Sequence, residues 1–375
     1  MDYWLSNDII SFAIALVLAG ILIPQILLIA FRKKLFDEID ERKIHKGVVP
    51  RLGGIAFLPS ILFSIAAVVG FNLKFGNAGV WVEMGDAIVP MYFMICSVLL
   101  MFLVGMADDL IGVRYMAKFL VQMISALLIV ASGMYIDNLY GFFWMWELPS
   151  WFGWLATIFA VVYVVNAINL IDGIDGLASG LSTVALTFFA VLFYISGEHV
   201  YSMLASAAAG TLLPFFYYNV FGNAKKQKKI FMGDTGALTT GIILVFCAIA
   251  MLHIDSASFT HDYNPFVMAL SPLIIPCFDV VRVYLHRVRR HRNPFLPDKC
   301  HIHHKLLALG LDQRMALIVI MIWAAAFIIV NVALSSVVNA TALVAMDVAI
   351  WTIVNVILSR RIGIREKKLE QHLFD

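Results

Sequence analysis

Four polar residues, Asn166, Asn169, Asp172 and Asp175, stand three apart in NAINLIDGIDGLASG (166–180), directly after the apolar run WLATIFAVVYVV. A carboxylate in hydrocarbon is costly enough that such residues mark a functional site by default. Further polar sets flank other apolar runs. They are Asp108 and Asp109 in GMADDLIGVRY, Asp234 in KKIFMGDTGAL, the histidines of PDKCHIHHKLL, and HKGVVPRLGG at 45–54. Paired carboxylates, and an Asp among glycines, are hard oxygen ligands suited to Mg²⁺, which keeps several waters and is completed by substrate phosphates. Glycines let backbone amides approach an anion, most usefully at helix N-termini. With basic loops as countercharge, the chemistry implied is magnesium-assisted phosphoryl transfer.

The elements that must position these residues are membrane helices. The 375 residues are 62% hydrophobic and 14% charged, too apolar for a soluble domain of that size. Stretches long enough to cross a bilayer, about 20 helical residues each, fall near 9–31, 52–70, 88–107, 116–134, 152–171, 177–196, 200–220, 236–254, 266–285, 315–335 and 338–358. The fold class is therefore an all-α polytopic membrane protein of about eleven spans. The first span follows MDYWLSND, which has no basic residue and so lacks the n-region of a cleavable signal peptide; it is expected to stay as an anchor. Of the 27 Lys and Arg, all but Lys74 lie in one alternate set of loops. Basic loops stay on the cytoplasmic side, which places the N-terminus outside, the C-terminus inside and every polar set on the cytoplasmic face. Trp144, Trp146, Trp151 and Trp154 form an outer interfacial belt. The four cysteines provide no disulfide framework. One transmembrane catalytic domain is expected over 1–358, with active-site loops at 32–51, 108–118, 172–176, 221–235 and 286–314, followed by a basic tail at 359–375.

Residues three apart on a helix are offset by about 60°, so the four polar residues of 166–175 could not all converge from one continuous helix. Gly173 and Gly176 predict a helix end near Asp172, with Asp172 and Asp175 in a loop and Asn166 and Asn169 on the last helical turn.

These motifs, in this order and over nearly the whole chain, resemble the bacterial polyprenyl-phosphate N-acetylhexosamine-1-phosphate transferases. The branch most similar loads N-acetylglucosamine 1-phosphate from UDP-GlcNAc onto undecaprenyl phosphate. The resemblance implies Asn169 and Asp234 as Mg²⁺ ligands, with Mn²⁺ as an alternative ion. It implies Asp108 and Asp109 as the catalytic pair. It also implies Phe231 stacked on uracil, Asp175 bonded to that base with Asp172 adjoining, Lys46 and Asn219 in the substrate pocket, and His301, His303 and His304 on a loop meeting the sugar phosphate. HIHH in place of three adjacent histidines, the arginine-rich run and the KKQKK insertion separate the chain from phospho-MurNAc-pentapeptide transferases. The implied partners are UDP-GlcNAc, undecaprenyl phosphate and membrane lipids, with no nucleic acid; the implied location is the bacterial inner membrane. The sequence leaves open the sugar, the glycan pathway, and assembly as a homodimer.

Direct attack by the lipid phosphate, with Asp108 or Asp109 organising or deprotonating it, is favoured over a covalent aspartyl-phosphate route, which stays open. Structural alternatives stand beside the functional ones. The DD pair could be solvated acids at a helix end, Asp234 a turn residue, and CHIHH a zinc site. Asp279 and Arg282 could be a helical ion pair or bind substrate. KKQKK reads as an orientation signal and anionic-lipid contact. Asp347, deep in the last span, has no functional account. A competing class, an ion-coupled secondary transporter, would place its site near the midplane of two related halves; no internal repeat is visible.

Overall fold

The computed structural model describes residues 3–35, 48–76, 79–254, 263–291 and 300–372. Its elements are helical: α1 (Tyr3–Lys33), α2 (Phe57–Lys74), α3 (Gly79–Ile111), α4 (Tyr115–Ala131), α5 (Ser150–Ile171), α6 (Leu177–Ile195), α7 (His199–Val220), α8 (Gly233–Met251), α9 (Pro265–Leu270), α10 (Ile274–Arg289), α11 (Ile302–Ala308), α12 (Gln313–Leu334) and α13 (Ala340–His372). Ten spans among the described residues are long and apolar enough to cross a membrane, and the eleventh expected span is the shorter apolar helix α4.

The bundle is centred on α8. Every residue from Thr235 to Met251 is buried, as expected for a helix that is apolar all round. It packs against α3 on one side and α5 on another, while α7 lies between α1 and α6. Small residues permit the approach: a Cβ on Gly105 of α3 would come 2.6 Å from the Thr235 Cα, a close crossing of the kind small residues allow in membranes. Peripheral helices α1, α12 and α13 leave large side chains such as Ile21, Ile322, Ile329 and Ile353 exposed, the surface that lipid covers.

Two departures from the expected spans have local causes. The ninth span is α9 and α10 joined by a tight 3-10 turn at Ser271–Leu273, where Pro272 removes a helix donor. The last helix continues from the span into the expected tail. There Lys305 of α11 donates to Ser359 at 3.0 Å and Arg365 donates to the Ala308 carbonyl at 3.1 Å, so the start of the tail braces α11.

Candidate active site

The site forms where the C-terminal ends of α3 and α5 meet the N-terminal end of α8. Helix α5 stops at Ile171, with Asp172 outside the helical region at ψ 54° and Gly176 at φ +80° opening α6, so Asp172 and Asp175 lie in the loop as expected. Asn166 does not join them. It exchanges amide hydrogen bonds with Gln122 of α4 at 2.8 and 3.3 Å and ties α4 to α5. Asn169 sits half-buried on the last turn of α5.

The adjacent pair Asp108 and Asp109 divides its work. Asp109 Oδ1 accepts from the Asp234 N–H at 2.8 Å, and its Oδ2 accepts from the Thr235 N–H at 2.9 Å and the Thr235 hydroxyl at 2.5 Å. It is thus a cap supplied in trans to the first turn of α8, satisfying donors that a helix cannot satisfy itself. Gly233 sits at φ +70°, and a Cβ there would fall 2.4 Å from Asp109 Oδ2, so glycine serves both the turn and the close carboxylate. Asp108 instead accepts from the Val113 N–H at 2.7 Å and turns Oδ2 to Lys118, 3.2 Å away. The same ammonium lies 2.8 Å from Asp234 Oδ2.

Beside this corner, residues 50–54 run along 231–232. Phe231 N–H donates to the Pro50 carbonyl at 2.9 Å, and Gly53 and Gly54 donate back to the Phe231 and Met232 carbonyls at 3.0 Å each. Asn219, buried, accepts from the Gly176 N–H at 2.5 Å and donates to the Ile230 carbonyl at 2.8 Å, which locks the Asp172–Asp175 loop to that segment. Lys229 donates to Asp175 and lies 5.9 Å from the centre of the Phe231 ring. This lysine belongs to KKQKK but is buried at 7% exposure, so that run is not wholly a lipid contact. Asp172 keeps accessible surface in the loop; the protein packed around its carboxyl first, and the fields of Asp175 and Asp234 next, push it up to about 7.

The histidines arrive on α11. Asp279, fully buried, accepts from Arg282 at 2.7 Å, His301 Nδ1 at 2.9 Å and the Ile302 N–H at 3.2 Å, while Arg282 also donates to the Cys300 carbonyl at 2.5 Å. Of the two readings of Asp279, the ion pair holds, extended into an anchor for the whole arm. His301 is used in that anchor. His303 stacks on it, 5.8 Å between ring centres, and meets His304 at 4.2 Å. Its ring fills the space beside Gly173, where a Cβ would fall 2.1 Å from Nε2. Both His303 nitrogens are buried without a hydrogen-bond partner. Burial first and His304 second hold this ring's pKa down to about 3, so it is neutral.

Among the described residues no three His, Cys, Asp or Glu side chains gather tightly enough to hold a metal by themselves. The donor set at the Asp108–Asp234 corner still fits Mg²⁺: two carboxylate oxygens from different helices converge on one cation, the Lys118 ammonium, as a stand-in, and Mg²⁺ takes one or two carboxylates plus phosphates and water. Lys46 lies outside the described residues. Lys118 and the buried role of Lys229 escaped sequence reasoning; the available signal was a lysine opening the apolar helix α4 and one placed two residues before Phe231. Asp347 stays apart from the site, bonded to Asn331 at 2.9 Å.

A model of glycosyl transferase family 4 matches residues 91–252. The chain is 31% identical over 308 residues to the undecaprenyl-phosphate alpha-N-acetylglucosaminyl 1-phosphate transferase of Yersinia pestis, covering 81% of this chain and 78% of that one. It is 32% identical over 301 residues to the protein of the same name from Salmonella typhi, covering 79% and 76%. A probable undecaprenyl-phosphate N-acetylglucosaminyl 1-phosphate transferase of Bacillus subtilis (strain 168) is 29% identical over 325 residues, covering 85% and 83%. These relatives are named as transferases, not transporters, and their similarity spans the helices that build the corner, the loop and the arm. The chain belongs to the polyprenyl-phosphate N-acetylhexosamine-1-phosphate transferases of glycosyl transferase family 4.

Proposed function

We propose that the protein transfers N-acetylglucosamine 1-phosphate from UDP-GlcNAc to undecaprenyl phosphate at the cytoplasmic face of a bacterial inner membrane, as the first membrane step of a cell-surface glycan pathway. The observation that carries this reading is the convergence of Asp108 and Asp234, from α3 and α8, on a single cation position in a chain whose relatives bear that activity by name. A phosphate oxygen of the acceptor attacks the β-phosphorus of the donor. The bond from that phosphorus to the bridging oxygen breaks, its electron pair leaves on UMP, and the product is a polyprenyl-pyrophosphoryl sugar. One phosphoanhydride replaces another, so consumption of product drives the step.

A phosphate monoester is largely dianionic at neutral pH, its second pKa being near 6, so a strong base is not required. Asp108, partly exposed, orients the acceptor or takes its residual proton, while Asp109 keeps the start of α8 and hence Asp234 in place. Asp234, Asp108 and Asn169 would hold Mg²⁺, which offsets charge on the transferring phosphoryl and the departing UMP. Phe231 offers the uracil a face, and the buried Asp175–Lys229 pair a polar edge. His303, neutral and unpartnered, would hydrogen-bond the donor once the loop at Gly173, against which the ring packs, gives it access. Asn219 positions the Asp172–Asp175 loop and does not need to touch substrate itself. The transmembrane bundle acts as one catalytic domain, with the basic loops as countercharge on the cytoplasmic side.

The test is transfer by purified protein from radiolabelled UDP-GlcNAc to undecaprenyl phosphate, with Mg²⁺ or with chelator, and with UDP-GalNAc and UDP-MurNAc-pentapeptide as competitors. Labelled lipid and UMP are expected in equal amounts only with the metal, and UDP-GlcNAc is expected to be preferred. D234A is expected to abolish transfer while remaining folded in detergent; full activity in that variant would remove the metal assignment.

A further inference from the structure

The Asp108–Asp234 corner is a tertiary bridge. Asp108 lies on the last turn of α3, Lys118 on the first turn of α4 and Asp234 on the first turn of α8. The link from α3 to α4 is only Gly112–Arg114, and the Val113 N–H bonds Asp108 at 2.7 Å, so the chain has little freedom in where it delivers the lysine. Its ammonium sits 3.2 Å from one carboxylate and 2.8 Å from the other. The three side chains are 18, 25 and 26% exposed, reachable from solvent but not freely solvated.

We propose that Lys118 is the resident counter-ion of this pair, and that it makes capture of a divalent cation conditional on arrival of the donor's diphosphate. The inference rests on the transferase reading above. An ion that binds carboxylate oxygens at about 2.0–2.1 Å needs the place the ammonium holds. Two carboxylates balance one ammonium with a negative charge left over. They balance a divalent ion fully, so ammonium and metal together leave an uncompensated positive charge at close range. The two cations repel each other until an anion enters. The diphosphate carries negative charge on both phosphates and can take over the displaced ammonium while its oxygens complete the metal shell. Metal and donor therefore bind with positive coupling, and the coupling is reciprocal. In the empty site, Lys118 keeps Asp108 and Asp234 from repelling each other across two helices.

The experiment is equilibrium binding of Mn²⁺, followed by electron paramagnetic resonance, to full-length protein in nanodiscs without acceptor lipid, so that no turnover occurs. Wild type, K118M and K118R are compared with and without UDP-GlcNAc. In wild type the donor is expected to tighten Mn²⁺ binding by about tenfold or more. K118M is expected to bind Mn²⁺ about tenfold more tightly than wild type without donor, and to gain less from the donor than wild type does, the gain that remains coming from phosphate oxygens on the ion. K118R, which keeps the charge, is expected to follow wild type. Binding to K118M no tighter than to wild type without donor would overturn the proposal. So would the absence of donor coupling in wild type, a readout that needs no variant to fold. If no protein binds Mn²⁺ while calorimetry shows that UDP-GlcNAc itself binds, the metal reading fails and this inference with it, a result distinct from normal wild-type binding without coupling.

Discussion

The carboxylate corner and the histidine arm both adjoin the Asp172–Asp175 loop, the first through Asp234 and the second through Gly173, but they are finished to different degrees. At the corner, Asp108 and Asp234 share one lysine and remain partly open. In the arm, Asp279 is sealed off and receives an arginine, a histidine and a backbone N–H. The first is charge left incomplete, which a ligand can complete. The second is charge already compensated, and what it holds against Gly173 is a buried neutral ring, His303, with both nitrogens unpartnered. The two regions should therefore fail differently when broken: the corner by losing chemistry, the arm by losing its placement.

The largest effect expected is at the corner, where D108N removes a partly exposed charge without unpairing any backbone group of α8. Loss of turnover by about a thousandfold is expected, the scale for removing a group that stabilises transition-state charge, with an unchanged melting temperature. D109N, one residue on, should lower the melting temperature, because Asp109 caps α8 through two N–H groups and a hydroxyl; losing a cap costs about 1–2 kcal/mol. Parallel kinetic and thermal assays of the two variants check this. If D108N melts early and D109N does not, the division of labour between the neighbours is wrong.

Breaking the arm at its centre should do the reverse. D279A would leave Arg282 and His301 without their buried partner, a loss of about 3–5 kcal/mol for a broken buried pair. The expected signature is a lower melting temperature and a raised KM for UDP-GlcNAc, with kcat at saturating donor reduced far less than in D108N. Equal loss of kcat in both variants would erase the distinction between corner and arm.

The sequence carries the corner's acids and the arm's histidines openly, because each sits in a short motif at the end of an apolar span. The end of α5 at Ile171 was legible for the same reason: Gly173 follows within two residues. The roles within the motifs were not. Nothing local says that Asp109 turns to α8 while Asp108 turns away, since that depends on where α8 begins, more than a hundred residues along the chain. Lys118 looked like one more orientation charge because its partner Asp234 is equally remote. Asn219 and Lys229 were legible as polar residues but not as a clip and a buried pair, which exist only once α7 and the following segment fold back onto the Asp172–Asp175 loop. Periodicity finds helices; it does not say which ends meet.

A smaller effect concerns His303 itself. H303F keeps an aromatic ring against Gly173 but removes both nitrogens, so any hydrogen bond to the donor is lost and kcat/KM should fall about 10- to 100-fold, the equivalent of one buried hydrogen bond left unmade. H303Q should recover part of that, since an amide both donates and accepts. Equal activity of H303F and wild type would show that the ring only fills space, and the arm would then be a wall of the site and not part of its chemistry.

The smallest effects concern stability against pH, and the loop beside the corner should oppose the arm in sign. Asp172 has its pKa raised from 3.8 to about 7, so the empty folded protein holds that proton more tightly than the unfolded chain does. Its stabilising contribution is complete below about 3.8 and is lost as pH rises through about 7. His303 has its pKa lowered from 6.5 to about 3, so its contribution is present above about 6.5 and declines as pH falls toward 3. Each slope can be isolated by subtraction. The melting-temperature gap between wild type and D172N should move against wild type as pH rises from about 4.5 to 7.5, whereas the gap between wild type and H303F should move in its favour from about 4.5 to 6.5. Adding Mn²⁺ and UDP-GlcNAc should shrink the first slope, because a nearby cation favours the charged carboxylate. A slope for D172N that stays the same with both ligands would place Asp172 outside the reach of the metal and confine the working charge to the α3–α8 corner.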